Sequence, residues 1–174
     1  MAYKMTLSGN YGTHLAPLIQ AVNKTDGDIL ELGIGIFSTP YLHYQSLLTK
    51  RHLTSIDSEA GWVNRFSTSN VSGHKYEGPY HTFITVPNWD EAPIEKPWDV
   101  ALVDHSPSER RISEVKRLAP FAKYIIIHDS NDRHEREYHY SEIYPLFKYK
   151  TVWEGDANQA TVLSNVIDLK DFWE

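Results

Sequence analysis

The chain has 174 residues, 41% of them hydrophobic and 23% charged, with a formal net charge of −6 and no cysteine. This length suits one globular domain with a sizeable core, so we expect residues 1–174 to form a single domain. The acidic balance argues against nucleic-acid binding, and the lack of cysteine excludes disulfides, a thiolate zinc site and a thiol nucleophile. No run approaches the ~18 apolar residues of a membrane span, so the sequence predicts a soluble, cytoplasmic protein without membrane contact.

Short apolar runs rich in β-branched residues alternate with helix-compatible segments along the chain. Several of these runs lack polar alternation, which is typical of strands that are covered on both faces. In chain order the predicted strands are 28–33, 52–57, 81–86, 98–104 and 124–129, and the predicted helices lie near 13–24, 40–50, 59–69, 107–119 and 137–147. Ser38 and Thr39, directly before Pro40, favour a capped start for the second helix. The alternation predicts an α/β fold with a parallel, doubly wound sheet.

The C-terminal part of the chain departs from this alternation. Two strand-like runs, KYKTVWEG (148–155) and QATVLSNV (159–166), are separated by a short polar segment. Two strands joined so closely predict an antiparallel hairpin. We therefore expect a mostly parallel sheet that is completed by a C-terminal antiparallel hairpin.

Chemically versatile residues follow the predicted strands. In open α/β sheets the ligand lies outside the carboxyl ends of the strands, so these residues are the first candidates for a site. They are Gly33 and Gly35 after the first strand, Asp57 after the second, Asp104 and His105 after the fourth, and His128 and Asp129 after the fifth. Glycines let a ligand approach the backbone closely, and an acid at the second strand end suits the two hydroxyls of a ribose.

The glycine loop departs from a dinucleotide fingerprint. That fingerprint requires a third glycine three residues after the second, and this position is Ser38. Glu31, two residues before the first glycine, would repel a pyrophosphate but favour a cationic ligand that carries an amino-acid group. A phosphate cradle is therefore the weaker interpretation of this loop.

The stretch ELGIGIFST (31–39) resembles the first motif of class I S-adenosylmethionine-dependent methyltransferases. Phe37 stands where that family often has a third glycine. The resemblance extends over most of the chain, through Asp57, the acid after the fourth strand and the terminal hairpin. It implies a single Rossmann-like domain with a seven-stranded, mostly parallel sheet, in which the last strand lies antiparallel beside the fifth.

The resemblance also implies which residues bind S-adenosylmethionine. The motif would surround the methionine half, Asp57 would bind the ribose, and the residues near 58 and 89–90 would lie against the adenine. The N-terminal segment 9–14 would form a lip, with Tyr11 or Thr13 reaching polar groups of the cofactor. The implied contacts are Glu31, Gly33, Gly35, Ser38, Thr39, Asp57, Ser58, Trp89, Asp90 and Asp104.

A narrower resemblance concerns the fourth and fifth strand ends. WDVALVDHSPSER (98–110) and YIIIHDSND (124–132) are similar to segments of metal-dependent O-methyltransferases of the catechol type. Those enzymes hold a divalent cation with acids and an amide, which implies Asp104, Asp129 and Ser130 as ligands here, with Ser130 at the amide position. Oxygen ligands of this kind suit Mg²⁺ or Mn²⁺.

These resemblances imply O-methylation of a small polar acceptor, such as a sugar or phenolic hydroxyl. A divalent ion would orient and acidify the acceptor oxygen; without one, His105 or His128 would be the general base, so Asp104, His105 and His128 are the candidate catalytic residues. Two alternatives stay open, a non-catalytic cofactor-binding protein or methyltransferase subunit, and a nicotinamide-dependent oxidoreductase. The sequence leaves the acceptor and the oligomeric state open.

Overall fold

The structure is a computed structural model, and it describes residues 9–67, 76, 78–154 and 158–174. Within these residues lie seven strands and five α-helices, together with short 3₁₀ turns. The strands are β1 (Ile29–Leu32), β2 (Leu53–Asp57), β3 (His81–Thr85), β4 (Trp98–Val103), β5 (Ala122–Ile127), β6 (Tyr149–Glu154) and β7 (Gln159–Ser164). The helices are α1 (Leu15–Asn23), α2 (Ser38–Thr49), α3 (Ala60–Ser67), α4 (Arg111–Leu118) and α5 (Glu135–Tyr138).

The strands form one mixed sheet in the order β3-β2-β1-β4-β5-β7-β6. The first five strands, β1 to β5, run parallel to one another, whereas β7 lies antiparallel beside both β5 and β6. The seven predicted strands, the parallel sheet and the C-terminal antiparallel hairpin are thus confirmed. The hairpin turn, at 155–157, and the end of the third predicted helix, at 68–69, lie outside the described residues.

The register of the sheet brings the predicted site residues to one edge. Leu32 pairs with Ile56 on one side and with Val103 on the other, and Val103 pairs with Ile127. The residues that follow these four positions are Gly33, Asp57, Asp104 and His128. They therefore emerge side by side at the carboxyl ends of four adjacent strands.

Both faces of the central sheet are covered. One face of β1, β4 and β5 packs with Val115 and Leu118 of α4, and the other packs with residues of α1 and α2, including Leu18 and Leu42. This double burial explains why the central strands are mostly apolar and lack polar alternation. None of the helices in the described part of the chain has the length and apolarity needed to span a lipid bilayer.

Two predictions about helices were wrong. The segment 137–147 does not form one helix, because α5 ends at Tyr138 and His139 adopts a left-handed conformation with φ of 52°. Two 3₁₀ turns follow, and the second contains Pro145, which cannot donate the backbone hydrogen bond of a continuing helix. At the start of α2, Phe37 is the N-cap residue and makes no side-chain cap, since Ser38 and Thr39 are already inside the helix.

Candidate cofactor and acceptor site

A cavity of about 410 Å³ lies at the carboxyl ends of the central strands. Part of its wall is the loop after β1, and the opposite part comes from the ends of β4 and β5. The predicted residues that line it are Gly33, Gly35, Ser38, Asp57, Asp104, His105, His128 and Asp129. Trp62 of α3 and Tyr11 of the N-terminal lip also line it, and Trp62 had no signal in the sequence beyond its place shortly after Asp57.

Asp57 connects the loop after β1 to the start of α3. Its Oδ2 accepts a hydrogen bond from the backbone N–H of Ile34 at 2.9 Å, and its Oδ1 accepts one from the backbone N–H of Glu59 at 2.8 Å. Burial raises the pKa of this carboxyl, although the two backbone bonds act in the opposite direction. An ionised carboxylate has about four acceptor positions, so Asp57 keeps acceptor capacity for the hydroxyls of a ligand.

The two glycines of the loop are required for different reasons. Gly33 has φ of +96°, and a Cβ atom there would lie 2.5 Å from the carbonyl oxygen of Asp104. The close neighbour of Gly33 is therefore the chain itself, at the end of β4, rather than a ligand as the sequence suggested. At Gly35 the nearest atom to an added Cβ would be Ser38 Oγ at 3.7 Å, so this glycine leaves free space beside the cavity.

Glu31 lies behind the loop, fully buried, and is not among the residues that line the cavity. Its carboxyl accepts hydrogen bonds from Thr39 Oγ1 at 2.9 Å and from Ser55 Oγ at 2.5 Å. Thr39 Oγ1 in turn accepts the backbone N–H of Gly35 at 2.9 Å. Burial raises the pKa of Glu31 to about 7. Glu31 and Thr39 thus fix the position of the loop from inside the protein.

The residues predicted to lie near an adenine are also turned away from the cavity. Trp89 is buried, stacks on the ring of His105 at 3.9 Å between centroids, and donates Nε1–H to the carbonyl oxygen of Ser106 at 2.8 Å. Ser58 Oγ donates to the same carbonyl at 3.3 Å. Asp90 is exposed and pairs with Arg110 at 2.6 Å. These contacts brace the loop after β4, and a direct contact with a ligand stays a prediction.

Asp104 and His128 form a hydrogen-bonded pair at the other end of the cavity. His128 Nδ1 lies 3.1 Å from Asp104 Oδ1, and His128 Nε2 lies 2.9 Å from Thr13 Oγ1. Burial would raise the pKa of Asp104, but Arg111 and His128 outweigh it and hold that pKa well below its usual range. Because an ionised carboxylate only accepts, His128 Nδ1 donates to Asp104, and in the neutral imidazole Nε2 is left to accept the Thr13 hydroxyl.

The two candidate bases, His128 and His105, have different neighbours. Burial would lower the pKa of His128, but the Asp104 carboxylate raises it by more. His105 is buried against Trp89, and its Nε2 lies 3.2 Å from Glu114 Oε2, inside the protein. The geometry therefore favours His128 over His105 as a group that exchanges protons with a ligand.

Arg111, at the start of α4, is the main site residue that the sequence did not reveal. Its Nη2 lies 3.0 Å from Asp104 Oδ1, and its Nη1 lies 3.6 Å from Asp129 Oδ2. Its Nε donates to the carbonyl oxygen of His105 at 2.9 Å. A nearly buried guanidinium therefore lies between the two acids that were predicted to hold a metal ion. The Arg-Arg pair at 110–111 was visible in the sequence, but the direction of the Arg111 side chain was not.

The predicted metal ligands do not fit a divalent ion. Asp104 and Asp129 are both paired with Arg111, and Ser130 Oγ accepts a hydrogen bond from Thr161 Oγ1 at 2.8 Å. His14, Asp104 and His128 form a second candidate set, with ligand atoms within 4.8 Å of one another. However, the Asp104 oxygen that contacts His128 also contacts Arg111, so a cation there would lie against a fixed positive charge.

The fold is shared with solved structures of methyltransferases. An O-methyltransferase from Bacillus cereus in complex with SAH superimposes with a TM-score of 0.65 at 14% identity, covering 92% of this chain and 83% of that one. TomG, an O-methyltransferase from Streptomyces achromogenes in complex with SAM, gives 0.59 at 15% identity, covering 93% and 82%. This chain has the class I methyltransferase fold. No protein-family model and no curated protein matches its sequence.

The same fold also occurs in a protein with another reaction. Spermidine synthase from Thermotoga maritima superimposes with a TM-score of 0.67 at 12% identity, covering 95% of this chain and 62% of that one. Since a methyltransferase and a spermidine synthase share the architecture, the fold does not choose the group that is transferred. That choice depends on the residues of the site.

Proposed function

We propose that this protein is an S-adenosylmethionine-dependent methyltransferase that methylates an oxygen atom of a small polar acceptor. The observation that carries this proposal is one continuous cavity, with Gly35 and Asp57 on one side and the Asp104–His128 pair on the other. One side offers an open backbone approach and a carboxylate with spare acceptor capacity. The other offers an imidazole nitrogen that can receive a proton.

The residues of the loop after β1 suit the cofactor. Free space beside Gly35 allows a ligand to approach the backbone, and Asp57 would accept hydrogen bonds from the ribose hydroxyls. The cavity volume of about 410 Å³ lies in the range of roughly 300–1,000 Å³ that small-molecule sites occupy. When bound, S-adenosylmethionine supplies an electrophilic methyl group attached to a positively charged sulfur.

The acceptor hydroxyl must lose its proton as it is methylated. Thr13 Oγ1 is within hydrogen-bonding distance of His128 Nε2 and lies between two residues that line the cavity, Tyr11 and His14. An acceptor hydroxyl that reached Thr13 would give it a proton while Thr13 passes its own proton to His128. Asp104 holds the imidazole in the tautomer that accepts at Nε2 and stabilises the imidazolium that results. No metal ion enters this sequence of proton transfers.

The acceptor class is part of the proposal. A histidine general base suits a hydroxyl acceptor such as a sugar or phenol, and an acidic protein offers little attraction for nucleic acid or an anionic membrane. We therefore propose a soluble small molecule as the partner and the cytoplasm as the location.

The proposal is tested by binding and turnover measured on the same protein. Calorimetry with S-adenosylmethionine and with NAD should show binding of the first and none of the second, because Ser38 stands where a dinucleotide-binding loop has its third glycine. Isotope-labelled S-adenosylmethionine is then incubated with a panel of sugars and phenols, with His128→Gln as the catalytic control. Binding without transfer to any acceptor would support a non-catalytic cofactor-binding protein or a methyltransferase subunit instead. Preferential binding of NAD would support an oxidoreductase.

A further inference from the structure

Arg111 has an environment that is unusual for a surface helix. Its side chain is nearly buried, with a relative exposure of 6%, and its guanidinium lies 5.0 Å from the ring centre of Tyr138. Its Nε is fixed by the carbonyl oxygen of His105, and its two terminal nitrogens face Asp104 and Asp129. A guanidinium keeps its charge at all working pH values and donates in fixed directions. Arg111 is therefore a permanent, immobile cation.

The two acids already have donors or positively charged neighbours within the protein. Asp104 Oδ1 contacts both Arg111 and His128, and Asp104 Oδ2 lies 3.6 Å from His14 Nδ1. Asp129 receives hydrogen bonds from the Asn158 amide and from the Tyr138 hydroxyl, the latter at 3.4 Å, in addition to facing Arg111. A divalent ion needs carboxylate oxygens at about 2.0–2.1 Å for Mg²⁺. It would have to displace these donors beside a positive charge that cannot leave.

We propose that Arg111 takes the place of a divalent cation between the acids that end β4 and β5, so that the site works without a metal ion. Arg111 is then a positioning residue, which holds the Asp104 carboxylate in line with His128 Nδ1. The proposal rests on the proposed function for the purpose of the site. Its test needs neither cofactor nor acceptor, so a failure of methyl transfer and a failure of this proposal are distinguishable.

The proposal predicts that removal of Arg111 creates a metal site. Without the guanidinium, Asp104 and Asp129 lose their permanent positive charge and keep His128 as the titratable group near both of them, with partial access from the cavity. Such a pair favours a cation. Arg111→Met removes the charge and keeps much of the length of the side chain, whereas Arg111→Lys keeps a positive charge. Arg110→Met is the matched control, because Arg110 pairs with Asp90 and Glu114 and not with the cavity acids.

Melting curves in EDTA, Mg²⁺, Mn²⁺ and Zn²⁺, together with calorimetric titration of Mn²⁺, test this prediction. Arg111→Met should bind Mn²⁺ at least about ten-fold more tightly than the wild type, because a neighbouring positive charge is gone. A saturating metal should raise its melting temperature by roughly 2–4 °C or more. For the wild type, for Arg111→Lys and for Arg110→Met, the melting temperature of each protein should be the same in EDTA and in the metal salts.

Two results would overturn the proposal. The first is a wild-type protein that binds one Mg²⁺, Mn²⁺ or Zn²⁺ ion and loses this binding in Asp104→Asn or His14→Ala, since the cation would then coexist with Arg111. The second is a folded Arg111→Met variant that gains no metal affinity. If Arg111→Met does not fold, the wild-type titration with its Asp104→Asn comparison decides alone, because absence of binding supports the proposal and Asp104-dependent binding refutes it.

Discussion

Glu31 provides a sharp test of how the cofactor loop is supported. Its carboxyl is fully buried and accepts hydrogen bonds from Thr39 and Ser55, which tie it to α2 and β2. Burial raises the pKa of Glu31 from 4.5 to about 7. The native protein therefore holds this proton up to about pH 7, whereas the unfolded chain releases it near pH 4.5. We expect Glu31→Gln, which imitates the protonated acid, to remove this pH dependence.

The magnitude follows from the two pKa values. One pKa unit corresponds to about 1.4 kcal/mol, so the difference between 4.5 and about 7 corresponds to about 3 kcal/mol. Because the pKa is raised in the folded state, this stabilisation is fully present below pH 4.5 and is lost as the pH rises through 7. The free energy of unfolding of the wild type should therefore fall relative to Glu31→Gln by about 3 kcal/mol between pH 4 and pH 8.

Urea unfolding of both proteins at half-unit steps from pH 4 to pH 8 measures this difference. Taking the difference between the two proteins cancels every other group whose titration they share. Glu91→Gln, at an exposed position, is the control and should keep the wild-type pH dependence. A difference between wild type and Glu31→Gln that stays constant across this range would refute the reasoning, because burial would then not have moved the pKa of Glu31.

Other predictions concern the cavity itself. Gly35→Val should weaken S-adenosylmethionine binding in calorimetry with little change in melting temperature. Gly33→Ala should lower the melting temperature, because its Cβ would lie 2.5 Å from the backbone of Asp104. Equal changes of melting temperature in the two variants would contradict this distinction. Asp57→Ala should weaken cofactor binding by ~1.5–3 kcal/mol, and an unchanged dissociation constant in a folded variant would exclude Asp57 as the ribose ligand. His128→Gln should lower the rate of methyl transfer by about 10²–10⁴-fold and leave cofactor affinity unchanged; full activity would exclude His128 as the base.

Much of the fold was accessible from the sequence, because buried parallel strands leave a strong pattern. The runs WDVALVD and YIIIHD each contain four consecutive apolar residues, at 100–103 and 124–127, and a strand covered on both faces needs this composition. The prediction of one helix over 137–147 was wrong for a local reason. Its two glutamates and its leucine suit a helix, but Pro145 removes a backbone donor and His139 takes a left-handed conformation. Propensity summed over a window does not detect such single-residue interruptions.

The site was accessible only where the backbone determines it. Residues at strand ends are brought together by the parallel register, so Gly33, Asp57, Asp104 and His128 could be grouped from their positions alone. Side-chain direction has no such signature. The sequence pattern of an acid at a strand end is the same whether its side chain faces a metal ion or an arginine of the next helix.

Arg111 is an example of a site residue whose side-chain direction could not be predicted from the sequence. The two acids at the ends of β4 and β5 predicted a bound divalent cation, because two adjacent carboxylates attract positive charge. The sequence did not reveal that the charge comes from α4, since Arg111 follows Asp104 by only seven positions and its neighbour Arg110 turns instead to Asp90 and Glu114. Arg110 is the last residue of the 3₁₀ turn Ser108–Arg110 and Arg111 is the first residue of α4, so the two side chains leave the backbone in different directions. One completes the site while the other contacts the surface. The Arg-Arg pair at 110–111 is therefore compatible with a metal-dependent site and with a metal-free site. The direction of the Arg111 side chain decides between the two.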